Sequence, residues 1–257
     1  MQRWFLCVLL AGACGGTEDP LAERIFAAGE AARLTSRALG LTTAMYGIST
    51  ISVKAPHEVI AESIRGRFVS ETGTCAMVGG QGSNAILTLP SSTGCTLASA
   101  GMLAKGTINC TVSDGPLPFL KIACGLDLVV DGLPLAGNLD IFTELGNDYS
   151  FAVSLQGTRG DDPSRQLMVG IPNLAAGIAA QTSEASGNAT VDGTPMIFAA
   201  LQQDLAGCYP RGGTIEFGGG VLGFSNTTPQ TGEAIFTEGQ VGRVVKLAVR
   251  PGCPPSL

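Results

Sequence analysis

Several stretches of this sequence alternate strictly between apolar and polar residues, and this period of two constrains the fold more than any other feature. The clearest examples span 108–112, 126–131, 149–155 and 245–250. Because successive side chains of a strand point to opposite faces, each stretch predicts a strand with one dry and one wet face. Such strands belong to antiparallel sheets, since strands of parallel sheets are covered on both sides and read as continuous apolar runs.

Shorter apolar stretches and turn signals extend this prediction over most of the chain. Hairpin turns are expected at Asp131-Gly132, Asn147-Asp148 and Asp192-Gly193. We expect roughly ten to twelve strands in one antiparallel β domain over 66–257, shaped as a sandwich or a partly closed barrel. The further strand candidates lie at 68–69, 85–89, 139–143, 166–171, 189–191, 196–199, 214–217 and 234–237.

Two short motifs recur in the same order along this domain. The triplet Gly-Thr-Ile at 106–108 returns at 213–215, and the tetrad Ile-Phe-Thr-Glu at 141–144 returns at 235–238. A coincidence among similar hairpins is the favoured interpretation, because the spacing between the motifs differs in the two halves. The alternative is a duplicated β unit, with copies at about 66–156 and 165–257.

The residues before the sheet indicate a helical segment over 20–65. Asp19-Pro20 combines a typical N-cap residue with a proline at the first helical position. Apolar residues at 21, 25, 28, 32 and 39 form one stripe, and the opposite side carries Glu23, Glu30 and Arg37. We expect a helix that ends near Gly40 and covers one face or open edge of the sheet. A strand at 48–53 and a second helix at 56–64, closed by Gly66, are expected to follow.

The first residues have the features of an export signal. Arg3 supplies a positive charge, residues 4–10 form a compact apolar stretch, and small residues at 11–13 precede Cys14. The apolar stretch is too short to cross a hydrocarbon core of roughly 30 Å, which needs about 20 residues. We therefore expect residues 1–13 to guide export and then to be removed.

The segment Ala11-Gly12-Ala13-Cys14 resembles the lipobox of bacterial lipoproteins. The resemblance implies a diacylglyceryl group on Cys14, cleavage before this residue, and often a further acyl chain such as palmitate on the new amino terminus. Residues 14–19 would then be a lipidated tether, and Gly15 favours the outer membrane over the inner one. The protein would face the periplasm or the cell surface. An ordinary secretory signal, cut after Ala13, is the alternative and would give a secreted protein.

The charge balance limits the partners of the chain. There are 21 Asp and Glu residues against 15 Lys and Arg, a net charge of −6. An acidic protein repels phosphate backbones and anionic headgroups, so we expect no nucleic-acid partner, and membrane attachment must come from the lipid. An apolar content of 45% is too high for a disordered chain.

Six cysteines remain once Cys7 leaves with the signal and Cys14 is lipidated. An even number of cysteines in an exported protein predicts disulfides, and six cysteines allow 15 connectivities. Pairing of sequence neighbours is favoured, because each pair flanks a hairpin or a similar bracket. The favoured bonds are Cys75–Cys95, Cys110–Cys124 and Cys208–Cys253.

The sequence contains no convincing catalytic, cofactor or metal motif. His57 is the only histidine, so the sequence offers few candidates for the general base of a hydrolytic triad and no cluster of histidines for a zinc site. The glycines of Gly80-Gln81-Gly82 loosely match a dinucleotide-binding loop, but a strand follows them, and we expect a turn. Asp161-Asp162 is interpreted as a solvated loop. We therefore predict no cofactor, no metal and no enzymatic activity.

These inferences lead to a functional expectation. The chain is interpreted as a lipid-anchored lipoprotein of the cell envelope that acts as a non-catalytic binding or structural module, with a protein or glycan partner. The alternative is a carrier that holds a hydrophobic ligand or lipid in the periplasm, with the N-terminal helix as a lid. An enzyme of unknown class is the least favoured interpretation.

Overall fold

The fold is seen in a computed structural model, which describes residues 20–46, 55–99, 101–115, 120–143, 148–158, 166–179, 182–204 and 209–247. The helices are α1 (Pro20–Tyr46), α2 (His57–Thr72) and α3 (Thr228–Thr231). The strands are β1 (Met77–Gly79), β2 (Asn84–Leu89), β3 (Cys95–Leu97), β4 (Met102–Asp114), β5 (Leu120–Val130), β6 (Leu133–Thr143), β7 (Asp148–Thr158), β8 (Gln166–Ala179), β9 (Thr182–Val191), β10 (Thr194–Asp204), β11 (Gly212–Phe217), β12 (Gly220–Gly223), β13 (Glu233–Glu238) and β14 (Val241–Lys246).

The strands form an antiparallel meander in which each strand pairs with its neighbours in sequence. The order runs β1-β2-β4 and then consecutively to β14, while β3 pairs with the part of β4 beyond β2. Short turns at Asp131-Gly132 and Asp192-Gly193 connect β5 to β6 and β9 to β10. The sheet is open, since β1 and β14 are its two ends in the part of the chain that the structure describes.

The predicted fold class is confirmed: the protein is mainly β, antiparallel and not a closed barrel, with an N-terminal helix. Most predicted strands are present, and β1, β3 and β12 are additional short ones. The repeated motifs fall on β4 and β11 and on β6 and β13, seven strands apart in one sheet. The duplicated unit itself stays a prediction, as does the division of the chain at residue 65.

The first helix is longer and far more buried than the sequence indicated. It continues past Gly40 to Tyr46, and its residues from 27 to 35 are buried without exception. Nine consecutive helical residues point in every direction around the axis, so the helix is covered on all sides. Its contacts extend to α2 and to strands β8 to β12. The sheet therefore curls around α1: the helix packs against one face of the strands, as expected, and it is also covered on its other sides.

The polar side of α1 is also inside the protein. Glu30 and Arg37, expected on a wet face, are 1% and 3% exposed. Each is near an opposite charge: Arg33 Nε lies 3.5 Å from Glu30, and Arg37 Nη2 lies 2.6 Å from Asp131 in the β5–β6 turn. Burial lowers the pKa of Arg37 from its ordinary value, an effect that Asp131 opposes and the nearby charge of Arg33 reinforces.

The second helix corrects another expectation. It does not stop at Gly66 but continues to Thr72, so the predicted strand at 68–69 is wrong. Ile60, Ile64 and Phe68 recur every four residues and are all buried, and they place one face of α2 against β1 to β4 and α1. Gly66 is exposed on the opposite side.

Several predictions fall outside the described residues: the signal, Cys14 and its tether, the strand at 48–53, the loop at 159–164, and the pair Cys208 and Cys253. None of the helices in the described part of the chain has the length and apolar character needed to cross a membrane.

Candidate partner-binding edge

The structure brings four of the predicted cysteines into two disulfides. Cys75 bonds to Cys95, with Cα atoms 5.8 Å apart, and links the end of α2 to β3. Cys110 and Cys124 are direct cross-strand neighbours on β4 and β5 and form the second bond. Both pairings are the ones favoured from sequence. These cysteines hold the first strands of the sheet together and are not part of a reactive site.

The remaining candidates within the described residues are not brought together. His57 Nε2 lies 3.1 Å from the Asp114 carboxylate at the surface, and no other hydrogen bond of this side chain occurs among the described residues. Gly80 to Ser83 form the turn between β1 and β2, as expected. The described residues contain no group of three or more His, Cys, Asp or Glu that could hold a metal ion.

The two ends of the sheet differ in a way that singles out β14. At one end, β1 has three residues and lies beside the Cys75–Cys95 bond, so this edge is short. At the other end, β14 has six residues and pairs with β13 alone in the described part of the chain. Proteins usually shorten, charge or cover the edges of a sheet because an open edge invites another strand. With six residues, β14 is long enough to pair with a further strand.

The backbone groups of β14 alternate between β13 and the open edge. Val241 faces Glu238 across a turn at Gly239, and the N–H of Leu247 donates to the carbonyl of Gly232 at 2.7 Å. In an antiparallel pair, only every second residue exchanges hydrogen bonds with its partner strand. The odd-numbered residues therefore bond to β13. The N–H and C=O groups that point to the open edge belong to Gly242, Val244 and Lys246.

The side chains of β14 are unusually apolar for an exposed strand. Val241 is 73% exposed and Val244 is 65% exposed, and Ile235, which is paired with Val244, is 52% exposed. The strand also carries two positive charges and no negative one in an acidic protein. Arg243 lies over the Phe236 ring at 5.5 Å, and Lys246 Nζ is 4.0 Å from Glu233. The edge is thus apolar and basic at the same time.

A cavity of about 310 Å³ lies between β14 and the first turns of α1. Ala22, Ile25 and Phe26 line it from the helix, and Arg243 and Val245 line it from the strand. Glu30, which is paired with Arg33, forms part of its wall. The floor is closed where Gly29 meets Leu247: a Cβ at Gly29 would lie 3.0 Å from a Leu247 methyl group. Side chains that enter beside β14 would thus meet a mainly apolar wall.

Comparisons of this chain with protein-family models, with curated proteins and with solved structures find no match.

Sequence reasoning did not find this edge. The segment 245–250 was recognised as a strand by its alternation, but the observed β14 begins at Val241. Alternation shows which side chains share a face of a strand, but it does not show which strands pair with it. The signal in the sequence is the combination of three valines with Arg243 and Lys246 within positions 241–246.

Proposed function

We propose that this protein is a lipid-anchored module of the cell envelope, attached through Cys14 and without catalytic activity, that binds a protein partner at the β14 edge. The partner contributes an extended segment, which adds one strand to the sheet. In this mode, main-chain hydrogen bonds provide affinity and pockets for alternate side chains provide specificity. The single observation that carries the proposal is the exposed, apolar β14, which pairs on one side only within the described part of the chain and lies next to a cavity.

We expect binding at this site to need both main-chain hydrogen bonds to β14 and apolar contacts with Val244 and the cavity. The outward N–H and C=O groups of Gly242, Val244 and Lys246 can form main-chain hydrogen bonds, each worth about 0.5–1.5 kcal/mol net. Association also costs at least about 4 kcal/mol of translational and rotational freedom, so these bonds alone give weak binding. Burial of apolar side chains against Val244 and in the cavity adds about 25 cal/mol per Å² of apolar surface removed from water.

The test distinguishes the contribution of the main-chain N–H of Val244 from that of its side chain. Val244→Pro removes an N–H that points to the open edge and leaves the hydrogen bonds to β13 in place, because proline is tolerated at such edge positions. Val244→Thr keeps the N–H and nearly the same shape and is the matched control. Short random peptides are displayed and selected against the full chain, purified in mild detergent.

We expect the selected peptides to lose binding at least tenfold to Val244→Pro and to keep it with Val244→Thr. Thermal unfolding of both variants verifies that the fold is intact. Peptides that bind Val244→Pro as tightly as the original protein would refute the edge as the binding site.

A carrier function is the second candidate, and the cavity of about 310 Å³ is the observation in its favour. Ligand pockets span about 300–1,000 Å³, so this cavity lies at the lower limit. The larger space enclosed by the curled sheet is filled by α1, whose residues 27–35 are all buried. Native mass spectrometry of the purified chain distinguishes the two functions: a co-purifying mass that extracts into organic solvent would favour the carrier.

A further inference from the structure

The faces of β14 determine which side chains a bound strand would meet. Arg243 pairs with Phe236 and Val245 with Ala234, and both partners are buried, so Arg243 and Val245 lie on the face turned towards α1 and the cavity. Val244 pairs with the exposed Ile235, which places it on the outer face. Lys246 is two residues further along and shares that outer face, and it also contributes to the lining of the cavity.

Residues that are directly opposite each other in a sheet point to the same face and interact. A partner residue opposite Val245 would therefore point towards the cavity, and one opposite Val244 would cover Val244 and Ile235. Both should be apolar. Residues opposite Arg243 and Lys246 would each face a positive charge, which a carboxylate complements.

We propose that the segment bound by β14 has the pattern acidic–apolar–apolar–acidic, with one apolar side chain in the cavity. This inference rests on the proposed function and names the chemistry of its partner. The pattern reads the same in both directions, so it applies to a parallel and to an antiparallel strand. The cavity is large enough for an aromatic ring, since an apolar cavity of about 150 Å³ already binds benzene.

Charge also selects this partner over a second copy of the chain. Two β14 strands side by side would bring two Arg243 and two Lys246 side chains into one ribbon without a carboxylate on either strand. Like charges across neighbouring strands are destabilising. Two acidic groups beside the edge, Glu233 on β13 and Glu30 in the cavity wall, are already near Lys246 and Arg33. An acidic segment meets no such repulsion.

The experiment compares three fluorescein-labelled peptides that share a Leu-Leu centre and flanking threonines. The first has Glu on both sides of the centre, the second has Lys and the third has Gln. Each is titrated against the full chain in mild detergent and followed by fluorescence anisotropy. The same titrations are made with Val244→Pro, with the double variant Arg243→Glu/Lys246→Glu, and with Ala22→Phe, which adds a ring to the cavity wall at an exposed position of α1.

We expect the Glu peptide to bind at least tenfold more tightly than the Lys peptide, with the Gln peptide in between. The double charge reversal should invert this order, and higher salt should reduce the difference. Ala22→Phe should weaken the Glu peptide several-fold but leave unchanged a version with an Ala-Ala centre.

The outcomes separate the two proposals. Equal binding of all three peptides, lost with Val244→Pro, would overturn the acidic pattern and leave the edge as a binding site. Binding that is insensitive to Val244→Pro would overturn both. A concentration-dependent dimer of the chain that Val244→Pro abolishes would identify a second copy as the occupant and refute the acidic partner.

Discussion

Replacement of Asp131 by asparagine should strongly destabilise this protein, although the residue lies in a hairpin turn. Its carboxylate is 2.6 Å from Arg37 Nη2, and its Oδ1 accepts a hydrogen bond from the Leu103 N–H at 3.0 Å. Asparagine keeps an acceptor for Leu103 and also tolerates the backbone φ of +49° at this position. Asp131→Asn therefore removes the negative charge and little else.

The magnitude follows from the burial of the pair. The Arg37 side chain is 4% exposed and that of Asp131 is 15% exposed. Removal of one partner of a buried ion pair costs about 3–5 kcal/mol, because the remaining charge stays in a poorly polarisable surrounding. Asp131 retains some contact with water, so we expect the lower end, about 3 kcal/mol. This is a large share of the roughly 5–15 kcal/mol that stabilises a typical domain.

Urea unfolding of the full chain, followed by far-ultraviolet circular dichroism, measures the effect. A loss of about 3 kcal/mol should lower the urea midpoint by about 1–2 M. The control is Arg37→Met with Asp131→Asn, which removes both charges and should be less destabilised than Asp131→Asn alone. Equal midpoints for Asp131→Asn and the original protein, or a double variant whose loss is the sum of the two single losses, would refute the ion-pair argument.

Three further predictions concern other parts of the chain. Replacement of Cys110 and Cys124 by alanine should lower the free energy of unfolding by about 3 kcal/mol, the stabilisation expected from a disulfide that closes a loop of about 15 residues. An unchanged urea midpoint would contradict this. Cys14→Ser should abolish incorporation of labelled palmitate and move the protein from the membrane to the soluble fraction, whereas continued membrane sedimentation would exclude the lipid anchor. Gln203 is 1% exposed, and its amide makes no hydrogen bond to any described residue. Gln203→Met should therefore raise the melting temperature by about 2–4 °C, and a lower value would show that the amide has a partner.

The sheet was predictable because a strand records its two environments in its own sequence. In β4 and β5, every second residue is buried over most of the strand, and the pattern is readable without knowledge of the partner strand. The strands β1 and β12 were missed because they have three and four residues, too few to establish a period of two. The turn at Asp131-Gly132 was found because few residue pairs adopt positive φ at both positions.

The error in α2 has a similar local cause. Gly66 and the bulky pair Phe68-Val69 suggested that a helix ended and a strand began. The helix continues because Phe68 completes the buried face begun by Ile60 and Ile64. The packing of this face outweighs the low helix propensity of Gly66.

The open edge at β14 could not be derived from the sequence either, and here the reason is not local. Val241 to Lys246 show which residues share a face, but whether another strand follows in space depends on the whole meander. The cavity depends in addition on the approach of Ile25 and Phe26, residues more than two hundred positions away. Both features are properties of the assembled sheet.

The first helix shows most clearly where sequence reasoning fails. Charged residues on one side of a helix are usually solvated, so Glu30 and Arg37 indicated a wet face. Arg37 is instead buried because its carboxylate partner comes from a turn between β5 and β6, which no helical pattern reveals. Residues 27–32 of α1 are alanine and glycine except for Glu30, so this stretch offers few bulky side chains to fix the position of the helix along the sheet. We therefore expect the Arg37–Asp131 pair to set that position, a known role of buried ionic groups. Because Ile25 and Phe26 belong to the same helix and line the cavity beside β14, we expect this pair to influence the shape of the cavity as well. A single ion pair would then connect the central helix to the edge at which we propose that the partner binds.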